Sequence, residues 1–250
     1  MTVGKFSDLE GKTILVTGAS SGIGRGVAIA LAEQGVDVVL VGRNESSLDQ
    51  LSKELGGKAQ KLSVDLTDAA ERMALVAALP SLDGVFHCAG VVDPFPVGFL
   101  NEEKLASVMN INFSAPVLLT SALLRKKKIN HSASLVFMSS VASGFAYKGS
   151  ASYSASKAAL EAYSRSLAIE HGSKKIRANC VLAAMVRTPI FEKTERLHGQ
   201  EAMQRHEQEY PLGVGEVSDI AEVVLFLLSG ASRWMTGASL VLDGGLTAGR

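Results

Sequence analysis

Short apolar runs alternate with longer amphipathic segments along almost the whole chain. Strand-like runs occupy residues 13–17, 37–41, 59–64, 84–88, 134–138, 176–182 and 239–242. Several are rich in Val, Leu and Ile and are bounded by turn residues, the pattern of strands buried on both faces. Helix-like segments lie between them, at 23–34, 46–55, 69–79, 101–127, 152–171 and 217–228. Strand–helix–strand repetition implies parallel pairing through right-handed crossovers. The expected fold class is α/β: a doubly wound sheet of about seven parallel strands with helices on both faces. No linker, repeat or low-complexity tract interrupts residues 1–250, so a single domain is expected.

Residues 189–211 break the rhythm. The stretch is charged, contains Gly199, and joins a strand to the next helix. In an open α/β sheet, loops after strand C-termini line the ligand crevice. The segment reads either as a mobile substrate lid or as an ordinary surface helix. His198 and His206 fall within it, with no carboxylate or Cys spacing that suggests a metal site.

Composition narrows the function classes. The 250 residues carry 25 basic and 25 acidic side chains, a net charge of zero. That leaves no electrostatic footprint for nucleic acid or an anionic membrane. Apolar residues make up 47% and charged residues 20%, as in ordinary globular proteins. No apolar run is expected to reach the roughly 18 residues that span a bilayer. The first residues show no basic region followed by an apolar one, hence no signal peptide. Cys88 and Cys180 each sit in an apolar strand-like run. Two buried thiols fit a reducing compartment, and a cytoplasmic location is expected.

Thr17-Gly18-Ala19-Ser20-Ser21-Gly22-Ile23-Gly24 follows the first strand and opens the first helix. Gly18 permits a tight turn, while Gly22 and Gly24 allow backbone and phosphate to approach without a Cβ between them. A helix N-terminus offers unpaired N–H groups and a partial positive charge to a pyrophosphate. The spacing is Gly-x-x-x-Gly-x-Gly, not Gly-x-Gly-x-x-Gly. An acidic residue ending the second strand would hold the ribose 2′-OH of NAD, whereas an Arg accommodates a 2′-phosphate. Here the strand ends Val41-Gly42-Arg43-Asn44, which favours NADP(H), with NAD(H) the other candidate.

Tyr153-Ser154-Ala155-Ser156-Lys157 begins a helix, and positions i and i+4 share one helical face. The phenol and the ammonium can therefore converge. A free Tyr titrates near 10, and a nearby cation lowers that value, so a depressed Tyr153 pKa is expected. Tyr147 and Tyr163 have no Lys four residues on. Ser140 ends the fifth strand, at the edge where ligands bind, and could hold a carbonyl beside Tyr153.

The phosphate motif, Ser140, and Tyr153 with Lys157 resemble the short-chain dehydrogenase/reductase family in its single-domain branch, over nearly the whole chain. The resemblance implies a Rossmann-like fold and hydride transfer between NADP(H) and a small-molecule carbonyl or secondary alcohol. By resemblance, Tyr153 donates and accepts the proton, Ser140 orients the carbonyl, and Lys157 lowers the Tyr153 pKa and binds the nicotinamide ribose. Asn112, rather than Asn110, matches the family's Asn that holds a relay water. Asp65, followed by Leu66, resembles the adenine-contacting Asp. Thr188, with the Val186 backbone beside it, resembles the Thr that fixes the carboxamide. Gly18, Ser20, Ser21, Gly22, Ile23, Gly24 and Arg43 complete the cofactor seat with Cys88, Ala89 and Gly90. A homodimer or homotetramer is implied, paired through the 101–127 and 152–171 helices.

Two departures stand out. His87-Cys88-Ala89-Gly90 replaces the family's frequent Asn-Asn-Ala-Gly, and Ala183-Ala184 replaces Pro-Gly after the sixth strand. Neither removes a catalytic group. A non-catalytic NADP(H)-binding sensor is the rival reading, since fold alone does not prove activity. A dehydratase or epimerase on a related scaffold is a third. The substrate pocket should draw on 91–100, 144–150 and 189–211, where Phe95, Phe99, Phe145 and Phe191 suggest either an apolar pocket or surface packing. The basic run at 125–128 reads as a solvated helix end, the apolar positions at 117–119 and 123–124 as facing the core or another subunit, and Trp234 as a packing residue.

Overall fold

A computed structural model describes residues 6–57 and 59–249; the side chains of Lys193, Leu197 and His198 lie outside that description, and with them the candidate lid residue His198. Seven parallel strands form one sheet in the order β3-β2-β1-β4-β5-β6-β7. They are β1 (Thr13–Thr17), β2 (Asp37–Gly42), β3 (Gln60–Ser63), β4 (Leu82–His87), β5 (Ile129–Ser140), β6 (Arg177–Ala183) and β7 (Ser239–Leu242). The doubly wound Rossmann-like expectation holds.

The helices are α1 (Gly22–Glu33), α2 (Glu45–Glu54), α3 (Ala69–Ala78), α4 (Glu102–Met109), α5 (Ala115–Arg125), α6 (Ala151–His171), α7 (Pro189–His198), α8 (Gln200–Glu207) and α9 (Val217–Leu228). Alternate residues of β1 feed opposite layers. Ile14 and Val16 pack with Val27 and Leu31 of α1 and Val224 and Leu225 of α9. Leu15 packs with Leu75 of α3, Leu119 of α5 and Leu160 of α6. Covering both faces requires apolar side chains at every position, which is why the central strands read as unbroken apolar runs. Each fully buried Leu or Ile contributes roughly 1.5–3 kcal/mol.

Strand order reverses between β1 and β4, and the open sheet leaves a crevice at their C-terminal ends. The turn after β1 and the strip at residues 88–90 after β4 face each other there. A Cβ at Gly18 would stand 2.9 Å from Ala89 N.

The expected single helix at 101–127 is interrupted. Residues Asn110–Ser114 form one π turn, closed by the Ala115 N–H donating to the Asn110 carbonyl. Pro116 has no N–H to return to the Asn112 carbonyl four residues back, so an uninterrupted α ladder is unavailable here. The combined helix Glu102–Arg125 is long and apolar enough to cross a membrane by length and composition, with mean hydropathy 1.4. This corrects the expectation that no stretch reaches that limit. Its buried side, including Thr120 and Asn112, packs in the protein interior, as a core helix does.

The 189–211 stretch is two helices, α7 and α8, separated by Gly199 at φ +84°. Thr188 accepts from the Phe191 N–H as N-cap, and Pro189 opens α7. Phe191 is buried, whereas Phe99 is 72% exposed. Trp234 is 97% exposed, so it is not a packing residue within this chain. Both cysteines are free, Cys180 buried in β6 and Cys88 half-buried just past β4.

Candidate active site

The glycine turn sits where β1 hands over to α1. Gly18 takes φ +69° and Gly22 φ +54°, backbone that an L side chain rarely adopts. A Cβ on Gly24 would lie 2.3 Å from the Gly18 carbonyl, so the helix start is pressed onto the turn. Ser21 occupies the N-cap position but makes no side-chain cap, unlike Asn44 on α2, Asp68 on α3 and Asn101 on α4. The α1 N-terminus therefore keeps amide donors for an external anion. These features fit the phosphates of a dinucleotide. Thr188 lies across from the turn, 3.6 Å from where a Gly22 Cβ would be.

At the end of β2, Ser20 Oγ would lie 3.2 Å from a Cβ on Gly42, so its hydroxyl rests on the strand end. Arg43 is exposed beside it and helps line an open hollow with Asn44, Glu45, Ser46 and Asp49. Asp65 is tied into its own turn, accepting from Thr67 N (2.8 Å) and Thr67 Oγ1 (2.7 Å). Those bonds from Thr67 hold its carboxyl below the ordinary value, with Arg43 adding to the effect. Leu66 is buried.

Ser140, Tyr153 and Lys157 come together at the C-terminal end of β5. The Ser140 hydroxyl hydrogen-bonds the Tyr153 phenol. The Lys157 ammonium lies 5.6 Å from the centre of the Tyr153 ring and donates to the Met138 carbonyl at 2.7 Å. A Cβ on Gly90 would meet Asn112 Oδ1 at 3.0 Å and Lys157 Nζ at 3.6 Å, so the strip after β4 closes the site. Asn112 is fully buried and clamps Val91: its Oδ1 accepts from Val91 N (2.8 Å) and its Nδ2 donates to Val91 O (2.9 Å) and Ser156 Oγ (3.1 Å).

The expected depression of the Tyr153 pKa does not occur in the protein alone. Burial pushes the phenol up to about 12, and the bond from Ser140 only partly opposes this. Burial also pushes the Lys157 ammonium down to about 8. Taking both groups out of water disfavours both charged forms, and the ammonium is turned toward a carbonyl.

A family model described as enoyl-(acyl carrier protein) reductase matches residues 18–247. The 3-oxoacyl-(acyl-carrier-protein) reductase of Thermotoga maritima is 30% identical over 246 residues, covering 95% of this chain and 98% of its own. A 2,5-dichloro-2,5-cyclohexadiene-1,4-diol dehydrogenase of Sphingobium indicum is 31% identical over 252 residues, covering 96% and 98%. A solved short chain dehydrogenase/reductase family protein superposes with TM-score 0.86 at 30% identity, covering 96% of this chain and 99% of that one. The chain belongs to the short-chain dehydrogenase/reductase family.

In this oxidoreductase the site rests on polar supports that carry little sequence signal. Thr17 Oγ1 accepts from Cys88 N (3.0 Å) and Ala89 N (3.2 Å), fixing the strip after β4. The Met138 carbonyl, which holds Lys157, and the Ser156 hydroxyl, which holds Asn112, are further supports. A main-chain carbonyl leaves no sequence signal, and Ser156 was visible only as the i+3 neighbour of Tyr153. Burial pushes Cys88 up to about 12, which keeps it a thiol.

His87 is 4% exposed, and burial pushes its pKa from 6.5 down to about 3. It is neutral when folded but takes up a proton when unfolded below its ordinary value. Stability from this group is thus complete above pH 6.5 and lost as pH falls toward 3, by up to about 1.4 kcal/mol per pH unit. Urea unfolding at pH 7, 6 and 5 should give a shallower pH slope for His87→Gln than for the wild type. Identical slopes would mean that His87 protonates freely in the folded protein.

Proposed function

We propose that this protein interconverts a carbonyl and a secondary alcohol by hydride transfer with NADP(H). The observation that carries this reading is the meeting of the Ser140 hydroxyl, Tyr153 phenol and Lys157 ammonium beside Gly90, at the sheet edge where the glycine turn opens. The Ser140 and Tyr153 hydroxyls, with the Lys157 ammonium close by, suit an oxygen that gains negative charge as it is reduced. The names of two relatives agree: one reduces an oxo group, the other dehydrogenates a diol.

When bound, the nicotinamide supplies or takes up the hydride, and its oxidised ring adds positive charge to the site. Tyr153 holds the proton that passes to the carbonyl oxygen, and Ser140 orients that oxygen. Lys157 favours the phenolate and offers N–H donors to ribose hydroxyls. Asn112 acts by positioning: its side chain clamps Val91, and its carbonyl receives no N–H from Pro116. The dinucleotide would be held by the turn Gly18, Ser20, Ser21, Gly22, Ile23 and Gly24, by Asp65 and Leu66 at the adenine end, and by Cys88, Ala89, Gly90, Val186 and Thr188 at the other. Residues 189–211 form the substrate lid. The chain is read as a cytoplasmic homodimer or homotetramer.

Arg43 makes the NADP(H) preference testable. It is exposed, and Gly42 before it supplies no carboxylate to compete for a ribose hydroxyl. Arg43→Ala should weaken NADPH binding about tenfold or more, the worth of a charge-assisted bond, and NADH binding by no more than about twofold. Calorimetric titration with both dinucleotides checks this; equal losses would remove the phosphate role.

A further inference from the structure

His87 is the last residue of β4, in register with Thr17 on one side and Phe137 on the other. Its ring stacks on Phe137 at 4.8 Å and 9°. Tyr163 of α6 meets the other edge of that cluster, T-shaped to Phe137 at 5.8 Å. His87 Nε2 lies 2.9 Å from Thr120 Oγ1 of α5, while Nδ1 is buried with no hydrogen-bond partner among the described residues. Thr120 is itself fully buried. The Thr120 hydroxyl can accept a hydrogen bond as well as donate one. A proton on Nδ1 would strand an N–H in the interior, whereas one on Nε2 meets the Thr120 oxygen, so Nε2 carries the proton and Nδ1 is a bare acceptor.

The ring therefore ties the end of β4 to α5 from beneath. Directly beyond it runs the strip at residues 88–90, which has no slack. Ala89 N stands 2.9 Å from where a Gly18 Cβ would be, and Asn112 Oδ1 stands 3.0 Å from where a Gly90 Cβ would be. Movement of the β4 end must displace this strip against the phosphate turn or against Asn112.

We propose that His87 is a positioning residue, held as the Nε2–H tautomer that donates to Thr120, and that this bond sets the strip on which the dinucleotide rests. The second half rests on the dinucleotide-binding reading above. The residue touches neither substrate nor cofactor.

The tautomer is read by 15N-edited NMR of the full-length labelled protein, the His87 signals being those that vanish in His87→Gln. Expected is a protonated Nε2 and a bare Nδ1, with and without NADPH; a protonated Nδ1 overturns the inference. Function is read by NADPH titration and by turnover at saturating NADPH. Gln reaches the Nε2 position and should keep NADPH affinity within about threefold. His87→Asn reaches only the Nδ1 position, and Thr120→Val deletes the hydroxyl while keeping its shape. Both should lose about tenfold in NADPH affinity, with turnover at saturation within about threefold of wild type. Folded His87→Asn and Thr120→Val that bind NADPH like the wild type overturn the positioning role. Should His87→Asn fail to fold, Thr120→Val decides alone. A wild type that does not bind NADPH at all refutes the reading of the whole site and the positioning role with it, whereas the tautomer is measured independently of either.

Discussion

Tyr153→Phe is expected to reduce turnover by about a thousandfold, within the range that a positioned proton donor contributes, while NADPH still binds. The substitution removes one oxygen and leaves the ring in place. Lys157 keeps its bond to the Met138 carbonyl, and the glycine turn is untouched. Only the transferable proton and the partner of Ser140 are lost. Single-turnover oxidation of NADPH, followed by absorbance with a panel of carbonyl compounds, separates chemistry from binding. Turnover retained in Tyr153→Phe would assign the proton to another group. A wild type that binds NADPH but turns over no carbonyl or alcohol would favour the non-catalytic sensor. The raised Tyr153 pKa strengthens the expectation for reduction, because a phenol that holds its proton is ready to donate it.

The parts of this molecule that were legible in sequence are those written by burial. Ile14, Leu15 and Val16 face alternate helical layers, so β1 had to be apolar throughout, and its neighbours followed the same rule. β5 begins earlier than its apolar run because Asn130, His131 and Ser132 precede it; Ser132 takes φ +63° and the register shifts between Leu82 and Gly84. An irregular strand start carries no period-two signature. The π turn at Asn110–Ser114 was hidden because one extra residue scarcely alters a helical apolar pattern, and Pro116 was the available sign. Helices α7 and α8 are too polar to announce a face, although Thr188-Pro189 and Gly199 mark where α7 begins and ends. For the candidate site, spacing placed Tyr153 and Lys157 on one helical face. It could not reveal that both would be carried into a dry interior, which is what reverses the expected pKa direction. Trp234 shows the converse: a large apolar side chain suggests packing, but the turn before β7 points it outward.

Gly24→Ala is the second change with a large expected effect, and its sign runs against helix propensity. In an open helix position Ala is more stable than Gly by about 0.5–1 kcal/mol. At Gly24 the added methyl would stand 2.3 Å from the Gly18 carbonyl oxygen and 2.8 Å from its carbon. Both are backbone atoms, so no side chain can swing away. The turn cannot retreat either, because a Cβ on Gly18 would already press on Ala89 and Cys88 backbone at 2.9–3.1 Å. Relief requires the start of α1 to lift off the turn, which costs roughly 1–3 kcal/mol by analogy with overpacking. For a chain of this length that corresponds to a fall in melting temperature of about 2–12 °C. The larger consequence falls on the amide groups aimed at the phosphates, since misaligned donors lose most of their bond strength. NADPH binding to Gly24→Ala is therefore expected to be undetectable by calorimetry at concentrations that saturate the wild type. Gly172→Ala is the matched control: no described atom lies within 4 Å of its added Cβ, and its φ of −58° suits any residue. That variant should melt at or above the wild-type temperature and bind NADPH normally. A Gly24→Ala protein that melts and binds like Gly172→Ala would show that the phosphate turn has room that its backbone distances deny.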